Sequence, residues 1–339
     1  MEGNATELTG FTDEAKAGVG LVTVALAILT VALNSLAIVS FVVFSSLRDK
    51  SSDFLILNLA VTDLLLGLLV LPFSIARKMQ GEWYFGSVTC KLWRSFDVCL
   101  CLQTLWTAMF ISVDKYVYTS HPQRYTVIVT TMRLRIIIVS SWCVAVAFSF
   151  ILNMTDIAID RTSVTLVPPD SCMYVLDSRY AVSAFFVNFA CPSLVILGTS
   201  YHTFRAVNQQ HRQVEALMSN NALHVRGQGI QADSHQLSEV KSIKALSVLL
   251  TILVVMWSPR FVVLFVDAVC YCVHPVLLET CTWIGYCNSV VNPMLYAFND
   301  RYRKAYRKLL HCDFHSEVLD DSDQHMNPIA GVSRPNPKP

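Results

Sequence analysis

Residues 90–116 read CKLWRSFDVCLCLQTLWTAMFISVDKY. The stretch is mostly apolar. As a helix from Cys90 to Lys115 it extends about 37 Å, enough to cross a bilayer with both ends in the interfaces. It nonetheless carries Asp97 in its upper third and the pair Asp114-Lys115 at its lower end. Asp97, Thr104, Ile111 and Lys115 fall at offsets of 7, 14 and 18 residues, close to one stripe at 3.6 residues per turn. A carboxylate turned to lipid costs at least ~3 kcal/mol on insertion scales, so this stripe faces protein. An ionisable group at that depth marks a functional site whose usual companion is a cation.

Outward from this helix, the rest of the chain has the same character. Of 339 residues, 53% are hydrophobic and 15% charged, which places the chain with membrane proteins. Apolar runs of spanning length can be drawn at 19–44, 54–77, 88–113, 134–154, 180–204, 243–269 and 276–298. Seven spans put the two chain ends on opposite sides. The basic residues pool on one side: Arg48 and Lys50, then Arg124, Arg133 and Arg135, then Arg205, Arg212, Arg226, Lys241 and Lys244, then Arg301, Arg303, Lys304, Arg307 and Lys308. By the positive-inside rule that side is cytoplasmic and the amino terminus is outside. The sequon Asn4-Ala5-Thr6 agrees, making Asn4 a candidate glycosylation site. Residues 1–18 are polar and lack a basic start followed by an apolar run, so no cleaved signal peptide is expected. The net charge of +1, with basic residues only punctuating the ends of apolar segments, predicts no nucleic-acid partner.

The organisation that follows is an outer segment at 1–18, a seven-span unit at 19–299, an amphipathic helix at 300–312 and a disordered tail at 313–339. The amphipathic helix places Tyr302, Tyr306, Leu309 and Leu310 at helical spacing among basic residues, as suits the inner leaflet, and membrane lipids are its expected partner. Cys312, just beyond it, is either palmitoylated or a free thiol. Residues 208–237 are rich in Gln, Asn, His, Ser and Gly without apolar periodicity, so a partly disordered cytoplasmic loop is expected there. Most of the eleven cysteines lie inside spans, where the residue is a small packing group. Cys90 and Cys172 both lie on the outer, oxidising side, and a bridge between them would close a loop of about 80 residues, worth ~4–5 kcal/mol in the chain-entropy view. Cys270 can pair with Cys272 around Tyr271, with Cys281 as a rival.

One marker in each span carries a resemblance: Asn34 in LNSLAIV, Asp63 in LAVTDLL, Cys90 with Asp114-Lys115-Tyr116, Trp142, Pro192, Met256-Trp257-Ser258-Pro259, and Asn292-Pro293-Met294-Leu295-Tyr296. In this order and spacing they make the chain similar to rhodopsin-class (class A) G-protein-coupled receptors, from about residue 18 to 312. Within that class it resembles the biogenic-amine receptors of the histamine and trace-amine branches. That finer likeness rests on Asp97 seven residues after Cys90, on WYFG at 83–86, and on Trp283-Ile284-Gly285-Tyr286 ahead of Asn288-Ser289. The resemblance implies an all-α bundle of seven transmembrane helices with a short eighth helix on the inner leaflet, in the plasma membrane. It implies a small amine as ligand, with a heterotrimeric G protein and arrestin as partners.

Asp97 is then the expected anchor for a protonated amine, a pairing that aromatic faces reinforce by cation–π attraction. The resemblance has Tyr286 bond to that carboxylate and makes Trp257 and Phe261 the floor and wall of the pocket, with Trp283 nearby. For each aromatic, ordinary bundle packing is the alternative. Asn188 stands where catecholamine receptors present serines, which disfavours a catechol and suits an imidazole or amide. Arg260 departs from the pattern, which has an aromatic there, and Arg94 lies one turn above Asp97. Three readings of Arg260 stay open. It points up and binds the acid group of a zwitterionic or acidic ligand; it occupies Asp97 until a ligand displaces it; or it snorkels outward.

Deeper in the bundle, Asp63, Thr104, Asn288, Ser289 and Asn292 form an oxygen-rich set, which the resemblance assigns to an allosteric sodium ion, the alternative being a watered polar network. No other cofactor is expected. At the inner end the resemblance places signalling on Asp114, Lys115, Tyr116, Glu239, Asn292, Pro293 and Tyr296. Lysine replaces the family's arginine at 115, retaining charge but losing the planar fork. Ser200 stands in place of a tyrosine, with Tyr201 one residue on, and Leu105 and Leu253 replace an isoleucine and a phenylalanine. These departures leave open a weakly signalling or non-signalling receptor. No acid–base or nucleophile constellation faces the pocket, so no enzyme is expected. Span seven lacks the lysine that a retinal Schiff base needs, and no internal repeat points to a transporter.

Overall fold

The computed structural model of the chain describes residues 13–155, 157, 172, 177–221, 229–270, 272–296 and 300–311, with the backbone alone at 13–16, 214–221, 229–239 and 295. Asn4, Cys312 and the tail lie outside the described residues, as does the side chain of Glu239. The described elements are helices: α1 (Asp13–Val43), α2 (Asp53–Leu69), α3 (Leu71–Gln80), α4 (Gly86–Ser120), α5 (Pro122–Ile128), α6 (Thr131–Thr155), α7 (Ser178–Phe185), α8 (Cys191–Asn221), α9 (Gly229–Cys270), α10 (Pro275–Tyr286), α11 (Asn288–Tyr296) and α12 (Asp300–Leu310). Among the described residues six stretches are long and apolar enough to cross a membrane: 17–43, 53–80, 86–120, 131–155, 178–213 and 240–270. The seventh span is the pair α10 and α11, of 12 and 9 residues, broken at Cys287.

Prolines explain most of the irregularities. Pro192 has no N–H and its ring crowds the carbonyl four residues back, so the chain ahead of it widens into a π turn, Phe186–Ala190, in which the Cys191 N–H reaches back to the Phe186 carbonyl. Asn188 and Phe189 are buried by that turn. Pro293 likewise leaves the Ser289 carbonyl without its helical donor, and Asn34 Nδ2 supplies one from α1 at 2.9 Å. At the outer side Gly81 closes α3 at φ +77°, and Gly86 opens α4 at φ +79°, conformations in which a Cβ would be strained.

Between lipid-facing helices the hydrophobic effect offers little, so close approach and polar contacts do the joining. α4 is the central helix, packing against α2, α6, α8 and α9. Asn58 of α2 donates to Thr107 Oγ1 of α4 at 2.7 Å and accepts from Trp142 Nε1 of α6 at 2.8 Å, tying three spans through one amide. Gln103 Nε2 of α4 donates to Ser141 Oγ of α6 at 2.9 Å. Gly67 lets α2 approach α1 closely: a Cβ there would stand 2.9 Å from Val31 Cγ2.

Two expectations about the periphery divide. The disulfides form as Cys90–Cys172, with Cα atoms 5.8 Å apart, and Cys270–Cys272, leaving Cys281 free and buried. The partly disordered loop expected over 208–237 is corrected at its two ends, since α8 continues to Asn221 and α9 already begins at Gly229, while 222–228 lie outside the described residues. Gln, Arg, Glu, Ala, Leu and Met are good helix formers, and extending a helix already nucleated inside the membrane costs far less than starting one. α12 follows as the eighth helix, with Asp300 in its first turn and Arg307 and Lys308 in its last, in keeping with the helix dipole. Tyr302 and Ala305 face the bundle, and Arg301 pairs with the buried Asp53 at 2.9 Å.

Candidate functional site

α4, α9 and α10 bring three polar side chains together beneath the outer ends of the spans. Arg260, the residue after the α9 proline, grips Asp97 with both terminal nitrogens: Nη2 donates to Oδ2, and Nη1 donates to Oδ1 at 3.4 Å. Tyr286, at the end of α10, donates its hydroxyl to Asp97 Oδ1 at 2.7 Å. Cys101, one helical turn below Asp97, donates its thiol to the same oxygen at 3.6 Å. The Arg260 guanidinium lies 5.7 Å from the Trp257 ring centre and 5.4 Å from that of Tyr286, so two aromatic faces share its charge. Arg260 is 8% exposed and Tyr286 2%. The open question about Arg260 is answered for this state of the protein: it occupies the carboxylate.

Of the aromatic residues expected around Asp97, Trp257 and Tyr286 meet the Arg260 guanidinium, and Phe261 joins them through Trp257. Phe261 stacks on Phe189 with ring centres 4.7 Å apart, Phe185 meets Phe265 at 4.8 Å, and Trp257 leans on Phe261 at 6.0 Å. Asn188 is buried one residue before Phe189. Trp283 meets Tyr286 edge to face at 5.5 Å and donates from Nε1 to Glu279 at 3.4 Å. Glu279 in turn pairs with Lys78 at 2.7 Å, a bridge between the outer ends of spans two and seven. Neither Cys101 nor the Lys78–Glu279 pair is among the expected site residues. Cys101 was within reach, because an i, i+4 neighbour shares the helical face of Asp97. Lys78 and Glu279 lie 201 residues apart, and no local signal joins them.

The second buried carboxylate, Asp63, is wholly inaccessible and accepts from Ser289 Oγ at 2.7 Å and from Asn292 Nδ2 at 2.8 Å. Thr104 and Asn288 are buried too, without a hydrogen bond to it. Among the described residues no cation pairs with Asp63.

At the inner end, Lys115 donates to its own neighbour Asp114 at 2.8 Å and to Ser52 at 3.2 Å. Tyr125, from the short α5, donates to the other Asp114 oxygen at 2.8 Å. Burial, reinforced by the Asp114 charge, holds the Tyr125 phenol above its ordinary range, so it stays a donor throughout the physiological pH range. A hydrogen bond to a buried charge is worth ~1.5–3 kcal/mol. Tyr125→Phe should therefore lower the thermal stability of the purified protein by that order, and an unchanged melting curve would show the contact to be idle. Tyr116 lies edge-on to His202, 6.1 Å between ring centres. Ser200 bonds Ser112 at 3.2 Å, while Tyr201 is 58% exposed with its hydroxyl near Arg205, so it does not stand in for the missing inward tyrosine. Pro293 and Tyr296 are buried, and Tyr296 packs on Tyr302 of α12. Leu105 and Leu253 are buried in the core.

Known proteins resemble this chain in sequence. The profile of the 7 transmembrane receptor (rhodopsin family) matches residues 33–296. The chain is 32% identical over 325 residues to the 5-hydroxytryptamine receptor 6 of Mus musculus, covering 88% of this chain and 72% of that one. It is 30% identical over 321 residues to the Histamine H2 receptor of Rattus norvegicus, covering 92% and 84%. It is also 30% identical over 307 residues to a D(1)-like dopamine receptor of Takifugu rubripes, covering 82% and 67%. The family is one of receptors and not enzymes. With residues 33–296 matched, from the middle of the first span to the end of the seventh, the chain is a multi-pass membrane protein that belongs to the rhodopsin family of seven-transmembrane receptors.

Proposed function

We propose that the protein is a plasma-membrane receptor, amino terminus outside, that binds a small protonated amine at Asp97 and signals through a heterotrimeric G protein. The observation that carries this reading is the Asp97 carboxylate itself: set inside the bundle, bonded by Tyr286, and holding a cation, Arg260, that lies over the faces of Trp257 and Tyr286. A carboxylate so placed is a counter-ion for an ammonium group in a low-dielectric cleft. The relatives' names, which are those of dopamine, 5-hydroxytryptamine and histamine receptors, support the same ligand class. Ligand binding biases a swing of α9 about Pro259, and an inner cavity opens for the G protein, with arrestin as a second partner. This is a population shift, so the ligand must bind the open form better than the closed one. The carboxylate of Asp63, with hydroxyl and amide groups beside it and no cationic side chain among its partners, fits a hard monovalent cation, and sodium bound there would hold the closed form.

Cells expressing wild type and Asp97→Asn, matched for surface expression, test the reading. Dopamine, 5-hydroxytryptamine, histamine and simpler amines are applied, and G-protein dissociation is read. Activation of the wild type that Asp97→Asn abolishes is the expected result; equal activation of both would remove Asp97 as the anchor. Lys115, engaged with its own neighbour Asp114, favours a second reading, a receptor that binds without coupling. Ligand binding that Asp97→Asn abolishes, with no G-protein response in wild type, selects it.

A further inference from the structure

We infer that the ligand of this site is a zwitterion, an ammonium and a carboxylate carried on the same or neighbouring carbons beside an aromatic or apolar group, with Arg260 as the residue that reads its acid. The inference rests on the proposed role of Asp97 as ammonium anchor.

Its first support is a count of donors. A guanidinium has five N–H groups. Arg260 spends two of them on Asp97, and the described residues offer no acceptor to the other three, although the side chain is 8% exposed. The N–H groups that Asp97 leaves over are open to a further acceptor, and the planar fork suits a carboxylate.

The second support is the charge balance. As folded, the charges of Asp97 and Arg260 cancel within the pair. An amine bearing only a positive charge has to join a site already holding one, or expel Arg260 from Asp97 and from the faces of Trp257 and Tyr286. Either course leaves one cation poorly compensated where that is costly. A zwitterion avoids both. Its ammonium lies against Asp97 and its carboxylate on the free N–H groups of Arg260, making four alternating charges with no change in the total. The amino-acid backbone has its two charges at the close separation that a touching Asp–Arg pair requires. The third support is the aromatic cluster of Phe185, Phe189 and Phe261, which reaches Arg260 through Trp257 and suits an aromatic side group.

Matched pairs that differ by one carboxylate decide the matter: histidine against histamine, tyrosine against tyramine, and tryptophan against tryptamine, each with the amino acid's methyl ester. Readouts are the shift in melting temperature of the purified receptor and G-protein dissociation in cells. Wild type should respond to at least one amino acid at a concentration about 10- to 100-fold lower than to its amine or ester, the range expected for hydrogen bonds to a charged group. Arg260→Leu should erase that advantage. Arg260→Lys, which keeps the charge and the pairing but loses the fork, should retain the fold and lose most of it. Asp97→Asn should lose both members of the pair. Amines acting as well as or better than their acids on wild type, through Asp97, would overturn the zwitterion and leave the amine reading standing. Responses that survive Asp97→Asn would overturn both, and silence of every pair on wild type would overturn the zwitterion.

Discussion

Asp97→Ala is expected to cost the folded receptor about 3–5 kcal/mol, beyond any loss of ligand response, because it strands the Arg260 guanidinium in the bundle. The side chain is 8% exposed and has no second carboxylate among its described partners. Tyr286 would lose its acceptor at the same time. Most of that cost belongs to the uncompensated charge, so replacing both members should be milder than replacing one. Asp97→Ala combined with Arg260→Met should recover most of the melting temperature while leaving the ligand response absent. If the single and double variants melt alike, the pair has no role in stability. Recovery of response in the double variant would contradict the role given to Asp97.

Gly285→Ala is the second change with a large expected effect. A Cβ at 285 would stand 2.9 Å from Trp257 Cε3 and 3.0 Å from Cζ3. Those atoms belong to a rigid indole that is 1% exposed, so the ring cannot move aside without displacing its neighbours. Overpacking of this kind costs ~1–3 kcal/mol. The same substitution in a Trp257→Leu background should cost much less, because the atoms it meets are gone. Equal losses in both backgrounds would show that Gly285 matters for backbone reasons and not for contact with the indole.

The spans and the two buried carboxylates were legible in the sequence because the bilayer imposes them. About 20 apolar residues are needed to cross, and a charge within such a run needs a protein-side reason. The role of Tyr286 beside Asp97 came from resemblance, and the geometry places it there. What stayed open was direction. Arg260 had three destinations that spacing alone could not rank, since a long side chain one position along a helix chooses its partner from neighbouring helices. Lys115 bonds Asp114 and Ser52, contacts that its place in a helical stripe did not reveal. Tyr125, on the short α5, is a partner no motif announced. The inner extensions of α8 and α9 were missed because apolar periodicity falls silent where a helix leaves the membrane, though its backbone continues.

The turn at Cys287 lies between the contacts to the two buried carboxylates. Tyr286, the last residue of α10, holds the upper carboxylate, and Asn288, Ser289 and Asn292 belong to α11, where two of them hold the lower one. Two residues, Cys287 and Asn288, separate Tyr286 from Ser289, and Cys287 keeps helical φ and ψ with its N–H on the Trp283 carbonyl at 3.1 Å. The contacts to the two buried carboxylates therefore stand three positions apart on one span, so a shift of the backbone at Tyr286 is felt within a single helical turn by the residue that holds Asp63.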